Sequence, residues 1–453
     1  MEKSKKEKRQ AYFFDNKALL ALILPLVVEQ LLAVLVGMAD SIMIASVGEA
    51  AVSGVSLVDQ IMVLLINAFS ALATGGAVVA GQFLGQDRRE EACKSATQMV
   101  WFITICAIGI TVLVYLGKSF ILHTVFGKID QDVMHHADIY LLIVAASIPF
   151  MALYNGGAAI FRTMGNSKVT MQISIIMNVI NIGGNAILIY GFHRGTEGVA
   201  IPTLVSRMTA AIIIIALLCD EKRTLHIERT WRYRINWEMV KKILSIGVPN
   251  GLENSMFQLG KLAIQSTVST LGTTAIAAQA MTNMLEMLNG TAVIGVGIGL
   301  MTVVGQSLGA GKKDEAVYYM KKLMIFSEVF LIACCAVVYV LARPITMIGG
   351  MEAKSAEMCL DMMFWITIVK PIVWMFAFIP AYGMRAAGDV KFSMITSCIT
   401  MWTFRFCLCV YLIRVCGMGP MAVWIGMFTD WTVRAIVFGL RFKSGKWMEH
   451  KVV

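Results

Sequence analysis

Apolar runs about twenty residues long recur from one end of this chain to the other, and they restrict what it can fold into more than any other feature. At about 1.5 Å rise per residue, each run is long enough as a helix to cross a hydrocarbon core of about 30 Å. Spans are predicted at 18–46, 53–81, 96–117, 137–161, 168–192, 197–219, 243–270, 275–304, 319–342, 357–384, 392–416 and 418–440. The runs are continuous and do not alternate, so they read as helices, not barrel strands, because backbone in lipid must satisfy its own hydrogen bonds. Composition agrees: 58% of the 453 residues are hydrophobic and 15% charged, against roughly 45–50% and about 25% in soluble domains. The expected fold is an all-α membrane protein with twelve transmembrane helices.

A net charge of +10 invites a nucleic-acid partner, but the placement of the charges excludes one. With residues at span ends counted in the adjoining loop, 28 of the 39 Lys and Arg lie in the two termini and the even-numbered loops, 6 in the odd-numbered loops and 5 inside spans. This is the positive-inside bias, and it predicts a multi-pass protein of the plasma membrane with both termini in the cytoplasm. The densest blocks, Lys3, Lys5, Lys6, Lys8 and Arg9 and the stretch from Lys222 to Lys242, read as solvated faces near anionic lipid. The first run is too long for a signal-peptide core and lacks a small-residue cleavage site, so it is expected to remain as span 1. Most of the ten cysteines, including Cys334, Cys335, Cys407 and Cys409, lie in apolar runs without paired spacing and read as reduced small hydrophobes.

The chain repeats itself. A shift of 224 positions aligns 25–92 with 249–316 without a gap, and about a quarter of the pairs are identical. Pro25 and Glu29 fall on Pro249 and Glu253, Gly48 on Gly272, Gly75 on Gly299, and GQFLGQDRREEA (81–92) on GQSLGAGKKDEA (305–316). A second patch, at an offset of 223, pairs FRTMGNSK (161–168) with MRAAGDVK (384–391). Six spans is an even number, so the halves share an orientation and form parallel repeats about an axis along the membrane normal. The expected organisation is a six-helix lobe at 1–220, a cytoplasmic linker at 221–242 and a second six-helix lobe at 243–453. A substrate cavity is expected between the lobes, with transport by rocking of one against the other.

No motif supplies chemistry. GQSLGAGKK (305–313) imitates a phosphate loop, yet the first glycine that Gly311 and Lys312 require is Gln306, and Lys313 stands where Ser or Thr is needed. The G-x-G-x-G at 295–299 lies within an apolar span and suits close helix packing. H-E-x-x-H, G-x-S-x-G and Cys-His clusters are absent from the sequence, so neither an enzyme nor a cofactor is expected. His135 and His136, with Asp138 nearby, read as an interfacial pair.

Ionisable groups inside spans remain. Each costs roughly 2.5–3.5 kcal/mol at a helix centre on insertion scales and is a functional candidate by default. Span 1 carries Glu29 and Asp40, eleven residues apart and so on one helix face with about 16 Å between them. The second half carries Glu253, Lys261, Glu286, Glu328, Lys370, Arg405, Asp430 and Arg434. Glu29 and Glu253 each follow a proline by four residues, and either coupling or satisfaction of backbone groups freed at a bend would account for them. Asp40 has Ile264 as its repeat mate, an asymmetry that points to a job peculiar to the first half. Arg405 and Asp430 either neutralise each other or meet substrate. Asn178, Asn181 and Asn185 form a polar stripe along span 5, suited to interhelical bonding or to cation ligation. The 32 methionines suit lipid-facing packing, and some could line an adaptable pocket.

These residues resemble the multidrug and toxic compound extrusion (MATE) family, in particular its DinF-like branch. The resemblance covers nearly the whole chain and rests on LPLVVEQLLAVLVGMADSIMIASVG in span 1, the paired G-Q-x-L-G elements, FRTMGNSK after span 4, NVINIGGNAILIYG with GTEGVAIPTLVSR across spans 5 and 6, GVPNGLE in span 7 and VWIGMFTDWTVRAIVFGLRFKSGKW at the end. It implies a monomeric twelve-helix antiporter in the bilayer that exports cationic or amphipathic small molecules in exchange for protons or sodium ions. It also implies an ion-coupling site at Asp40, Asn181 and Thr203. Asn185 departs from the pattern, standing where the branch usually has a second acid. Sodium gains from each anionic oxygen, whereas protonation of Asp40 needs no second acid, so proton coupling is favoured; the sole metal contemplated is sodium at Asp40. Glu253, Lys261, Glu286 and Arg405 are the candidates for a substrate or second-lobe site, and Glu29 for a structural acid. A flippase for a lipid-linked precursor would favour a cationic cavity, and a membrane enzyme would need a catalytic cluster that the sequence does not display.

Overall fold

The structure, a computed structural model, describes residues 12–127, 129–228 and 233–453. The N-terminal block from Lys3 to Arg9 and part of the 221–242 stretch lie outside the described residues. Described secondary structure is entirely helical. In chain order the long helices are α1 (Asn16–Ala45), α2 (Glu49–Gly85), α3 (Arg89–Leu116), α4, which is the bent pair Gln131–Ala145 and Ile148–Thr163, α5 (Ser167–Gly191), α6 (Glu197–Leu218), α7 (Trp237–Val268), α8 (Thr273–Gly309), α9 (Lys313–Ile348), α10 (Ala353–Ala386), α11 (Val390–Arg414) and α12 (Met421–Ser444). Each of the twelve predicted spans has its helix. Ten are single helices apolar enough to cross a membrane, and the α4 pair makes another. Helix α7 is as long, but Asn250, Glu253, Asn254, Gln258 and Lys261 interrupt its apolar stretch, which is why hydropathy alone underrates it.

The helices cluster into two compact units. One runs from Asn16 to Gly251, and the other from Leu252 to Val452 together with the described residues 12–15. Within the first, α1 packs on α5, α2 on α3 and α4, α3 on α4, α4 on α6, and α5 on α6. The second repeats the scheme, with α8 on α9 and α10, α9 on α10, α10 on α12, and α11 on α12. Gly260 of α7 seats the Met401 side chain of α11, matching the α1–α5 contact. The repeated sequence therefore has a repeated packing order as its counterpart.

Equivalent turns in the repeat share a backbone conformation. Gly165 and Gly388 occupy equivalent turns at φ +77° and +86°, and Asp87 and Gly311 do so at +60° and +73°, in the left-handed region where a side chain is strained. After each of these latter turns a helix opens on an ion pair, Arg88 with Glu91 at 2.9 Å before α3 and Lys312 with Glu315 at 2.9 Å before α9. The acids lie in the first turn, where the helix dipole favours them.

The two units have edges of their own. The described part of 221–242 is folded against α3: Arg89 Nε donates to the Thr224 carbonyl at 2.8 Å, Gln98 Nε2 to the Arg234 carbonyl at 2.9 Å, and Tyr233 stacks on Trp101 with ring centroids 5.3 Å apart. The first turns of α7 pack on α2, where a side chain at Gly75 would collide with the Ile243 carbonyl. At the other end, the Phe13 amide donates to Glu315 at 3.2 Å and the Phe14 amide to the Tyr319 hydroxyl at 2.8 Å. The segment before α1 thus belongs with the C-terminal unit, and the unit boundary falls inside α7.

Candidate functional site

Three helices of the N-terminal bundle bring Asp40, Asn181, Asn185 and Thr203 together. Helix α5 presents Asn181 and Asn185 one turn apart on the same face. Pro202 of α6 lies against Gly184, where even a Cβ would meet the proline ring at 2.7 Å, so α5 and α6 approach closely and Thr203 is carried to Asn181. Asn185 Nδ2 donates to Asp40 Oδ1 at 2.6 Å and more weakly to Asn181 Oδ1 at 3.4 Å. Asn181 Nδ2 donates to Thr203 Oγ1 at 3.1 Å, and the threonine hydroxyl donates to the Val199 carbonyl at 2.8 Å. Asn181, Asn185 and Thr203 are buried and Asp40 is half-buried. Asn178, the third member of the stripe, lies outside this chain of bonds, its Nδ2 buried without a hydrogen-bond partner among the described residues.

Sequence reasoning passed over three neighbours. Asp59 of α2 and Arg207 of α6 are close enough to act electrostatically on Asp40. The Tyr140 hydroxyl, on α4, donates to Asp59 Oδ1 at 2.9 Å. Arg207 Nη1 donates at 2.8 Å to the Ser147 hydroxyl, which in turn caps the Val144 carbonyl at 2.6 Å. Ser147 sits at the 49° break in α4, where Pro149 lacks the N–H that would continue the helical ladder. One arginine thus holds the bend that aims Tyr140 and also faces both acids. Asp59 and Arg207 were open to the rule that selected Asp40, since both are ionisable groups inside spans. Tyr140 carried no such signal.

Glu29 and Glu253 are used differently from a proline-bend satisfier. Arg162 Nη2 meets Glu29 Oε1 at 2.5 Å, and the Thr170 hydroxyl donates to Oε2 at 3.0 Å. In the other bundle Arg385 Nη2 meets Glu253 Oε1 at 3.0 Å, and the Ser393 hydroxyl donates to Oε2 at 3.3 Å. The two constellations occupy equivalent places in the repeat and clamp α1 to α4 and α5, and α7 to α10 and α11.

Glu286 is likewise engaged. The fully buried Lys370 donates to Glu286 Oε1 at 2.5 Å, to the Glu286 carbonyl at 3.1 Å and to Asn289 Oδ1 at 2.5 Å. Of the two readings left open for Arg405 and Asp430, direct pairing is not formed: Asp430 is bonded within α12, where Arg434 Nη2 reaches both of its oxygens at 3.0 and 3.3 Å. One-turn spacing makes that pair the shorter route. Lys261 is exposed, whereas Arg405 is buried. The half-buried Glu328 has one oxygen without a hydrogen-bond partner among the described residues. His136 bonds the Thr196 hydroxyl at 2.6 Å and Asp138 pairs with Lys118 at 2.7 Å, which makes that region a structural junction.

The chain as a whole is similar to known transporters. The MatE family profile matches residues 25–187 and again 249–411, two windows separated by the same offset as the internal repeat. The Uncharacterized transporter YisQ of Bacillus subtilis strain 168 is 26% identical over 95% of this chain and 95% of its own. The Probable multidrug resistance protein NorM of Thermotoga maritima is 24% identical over 97% of this chain and 94% of its own. Among solved structures, the outward-facing conformation of a multidrug resistance MATE family transporter of the MOP superfamily superposes with a TM-score of 0.89 at 18% identity, covering 95% of this chain and 96% of that one. With both of its repeats matched by the profile, the chain belongs to the MatE family of multidrug and toxic compound extrusion antiporters and is a membrane transporter, not an enzyme.

Proposed function

We propose that this transporter exports cationic or amphipathic small molecules from the cytoplasm in exchange for protons bound at Asp40. The observation that carries the proposal is the run of amide and hydroxyl donors from α6 through α5 to Asp40, in which Asn185 presents its N–H, not a carboxylate, to Asp40 Oδ1. A proton taken up by Asp40 turns it from an acceptor into a donor, and Asn185 can answer by rotating its amide, so loading requires only local rearrangement. A sodium ion would call for the same rotation, but it would enter as a full cation beside Arg207, without a second acid on α5. Asp59, a carboxylate that acts on Asp40, is held by Tyr140.

The lobes at 1–220 and 243–453 act in this reading as two rocking halves around a substrate cavity, supported by their matching packing order. The protein works as a monomer in the plasma membrane. Its basic even-numbered loops support a cytoplasmic position for both termini. The test is efflux of fluorescent lipophilic cations such as ethidium from cells lacking their major pumps. Expression should lower dye accumulation, and a protonophore should restore it. Accumulation unchanged by expression across a panel of cationic and amphipathic dyes would refute the substrate class.

A further inference from the structure

Two cations within the spans of the C-terminal bundle have no acid bonded to them among the described residues. Lys261 on α7, Lys370 on α10, Arg405 on α11 and Arg434 on α12 lie there, besides the Glu253–Arg385 clamp. Lys370 is fixed by Glu286 and Asn289, and Arg434 holds Asp430. Lys261 and Arg405 are left over, and they converge on one ring: Lys261 Nζ and Arg405 Cζ each lie 5.0 Å from the centroid of Phe257. Phe257 is one turn before Lys261, while Arg405 reaches it from a wide π-type turn, Met401–Cys407, that interrupts α11.

Arg405 is only 5% exposed, yet its Nε and Nη1 have no hydrogen-bond partner among the described residues. Lys261 and Arg405 act on each other as like charges. The acids that also act on them, Glu286 on both and Asp430 on Arg405, are those already bound to Lys370 and Arg434. Two neighbouring cations on one aromatic ring, one of them buried with donors unpartnered among the described residues, are costly without a counter-charge. A planar oxyanion meets the need: it can accept from the guanidinium fork and the ammonium together, while an apolar body attached to it lies against the ring.

We propose that Lys261, Arg405 and Phe257 form an anion-binding site in the C-terminal bundle that accepts the carboxylate, sulfonate or phosphate of an amphipathic molecule. The inference rests on the reading of the protein as a small-molecule transporter and widens its solutes to those bearing an anionic group. Binding of 2-naphthoate to the full-length protein in phosphatidylcholine nanodiscs tests it without any need for transport. The neutral isostere 2-naphthamide should bind about tenfold more weakly, as expected when a charge-assisted bond becomes a neutral one. Lys261→Gln, at an exposed position, should erase most of that preference, and Arg405→Gln should do so where the variant folds, whereas Asp40→Asn should keep it. Competition by phosphatidylglycerol added to the nanodiscs would assign the site to a lipid headgroup, and its absence to a soluble anion. Equal binding of naphthoate and naphthamide, or a preference that survives Lys261→Gln, would overturn the proposal whatever the fate of cation export.

Discussion

At the scale of single residues, the N-terminal site turns on one carboxylate and the amide beside it. Asp40→Asn keeps the size of the side chain and removes the proton, so gradient-driven exchange should fall to the background of empty liposomes while the protein still inserts and purifies as a monodisperse species. Retained exchange would remove Asp40 from the mechanism. Asp59→Asn and Tyr140→Phe alter the field and the hydrogen bonding next to Asp40 without deleting the coupling group, and partial losses in initial exchange rate are expected, larger for Asp59. The clamps at Glu29 and Glu253 should behave otherwise. Glu29→Gln leaves the half-buried Arg162 without its counter-charge, a loss on the order of 1–3 kcal/mol. A lower melting temperature should therefore accompany an unchanged substrate affinity. What was legible at this scale followed from the cost of charge in lipid, which selects candidates but does not pair them. The pairing of Glu29 with Arg162 nevertheless left a trace, because the repeat retains both members: Glu29 matches Glu253, and Arg162 in FRTMGNSK matches Arg385 in MRAAGDVK.

At the scale of elements, function depends on how closely certain helices approach. Gly184 lets Pro202 of α6 sit against α5, and this contact carries Thr203 to Asn181. Gly184→Val should push the helices apart and cost about 1–3 kcal/mol through overpacking. Exchange should weaken even though no polar group has been touched. Thermal unfolding in detergent and transport in liposomes, measured on the same preparation, would check both effects; full stability and full activity together would contradict the role given to this contact. The apolar runs revealed the positions of all twelve elements because lipid demands length and hydrophobicity. Helix α7 gave the weakest of these signals, since polar residues interrupt its interior. The α4 bend had a local signal in Pro149, whereas its stabilisation by Arg207 of α6 is a tertiary fact with no local signature.

At the scale of the whole molecule, duplication supplies two bundles of one design, and their differences carry the function. Both keep the Glu–Arg clamp and the same packing order. The first places Asp40 in its amide network, while the second has Ile264 at the equivalent position and instead gathers cations around Phe257. The sequence repeat made the duplication visible, and the departure at Asn185 made the coupling question visible. Proteoliposomes with an internal reporter dye test the central claim, that protons bound at Asp40 drive exchange. A pH gradient at equal sodium should drive exchange in the wild type and not in Asp40→Asn, a sodium gradient at equal pH should drive it poorly, and Asn185→Asp should raise the sodium response. Strong sodium-driven exchange that persists in Asp40→Asn would contradict the account.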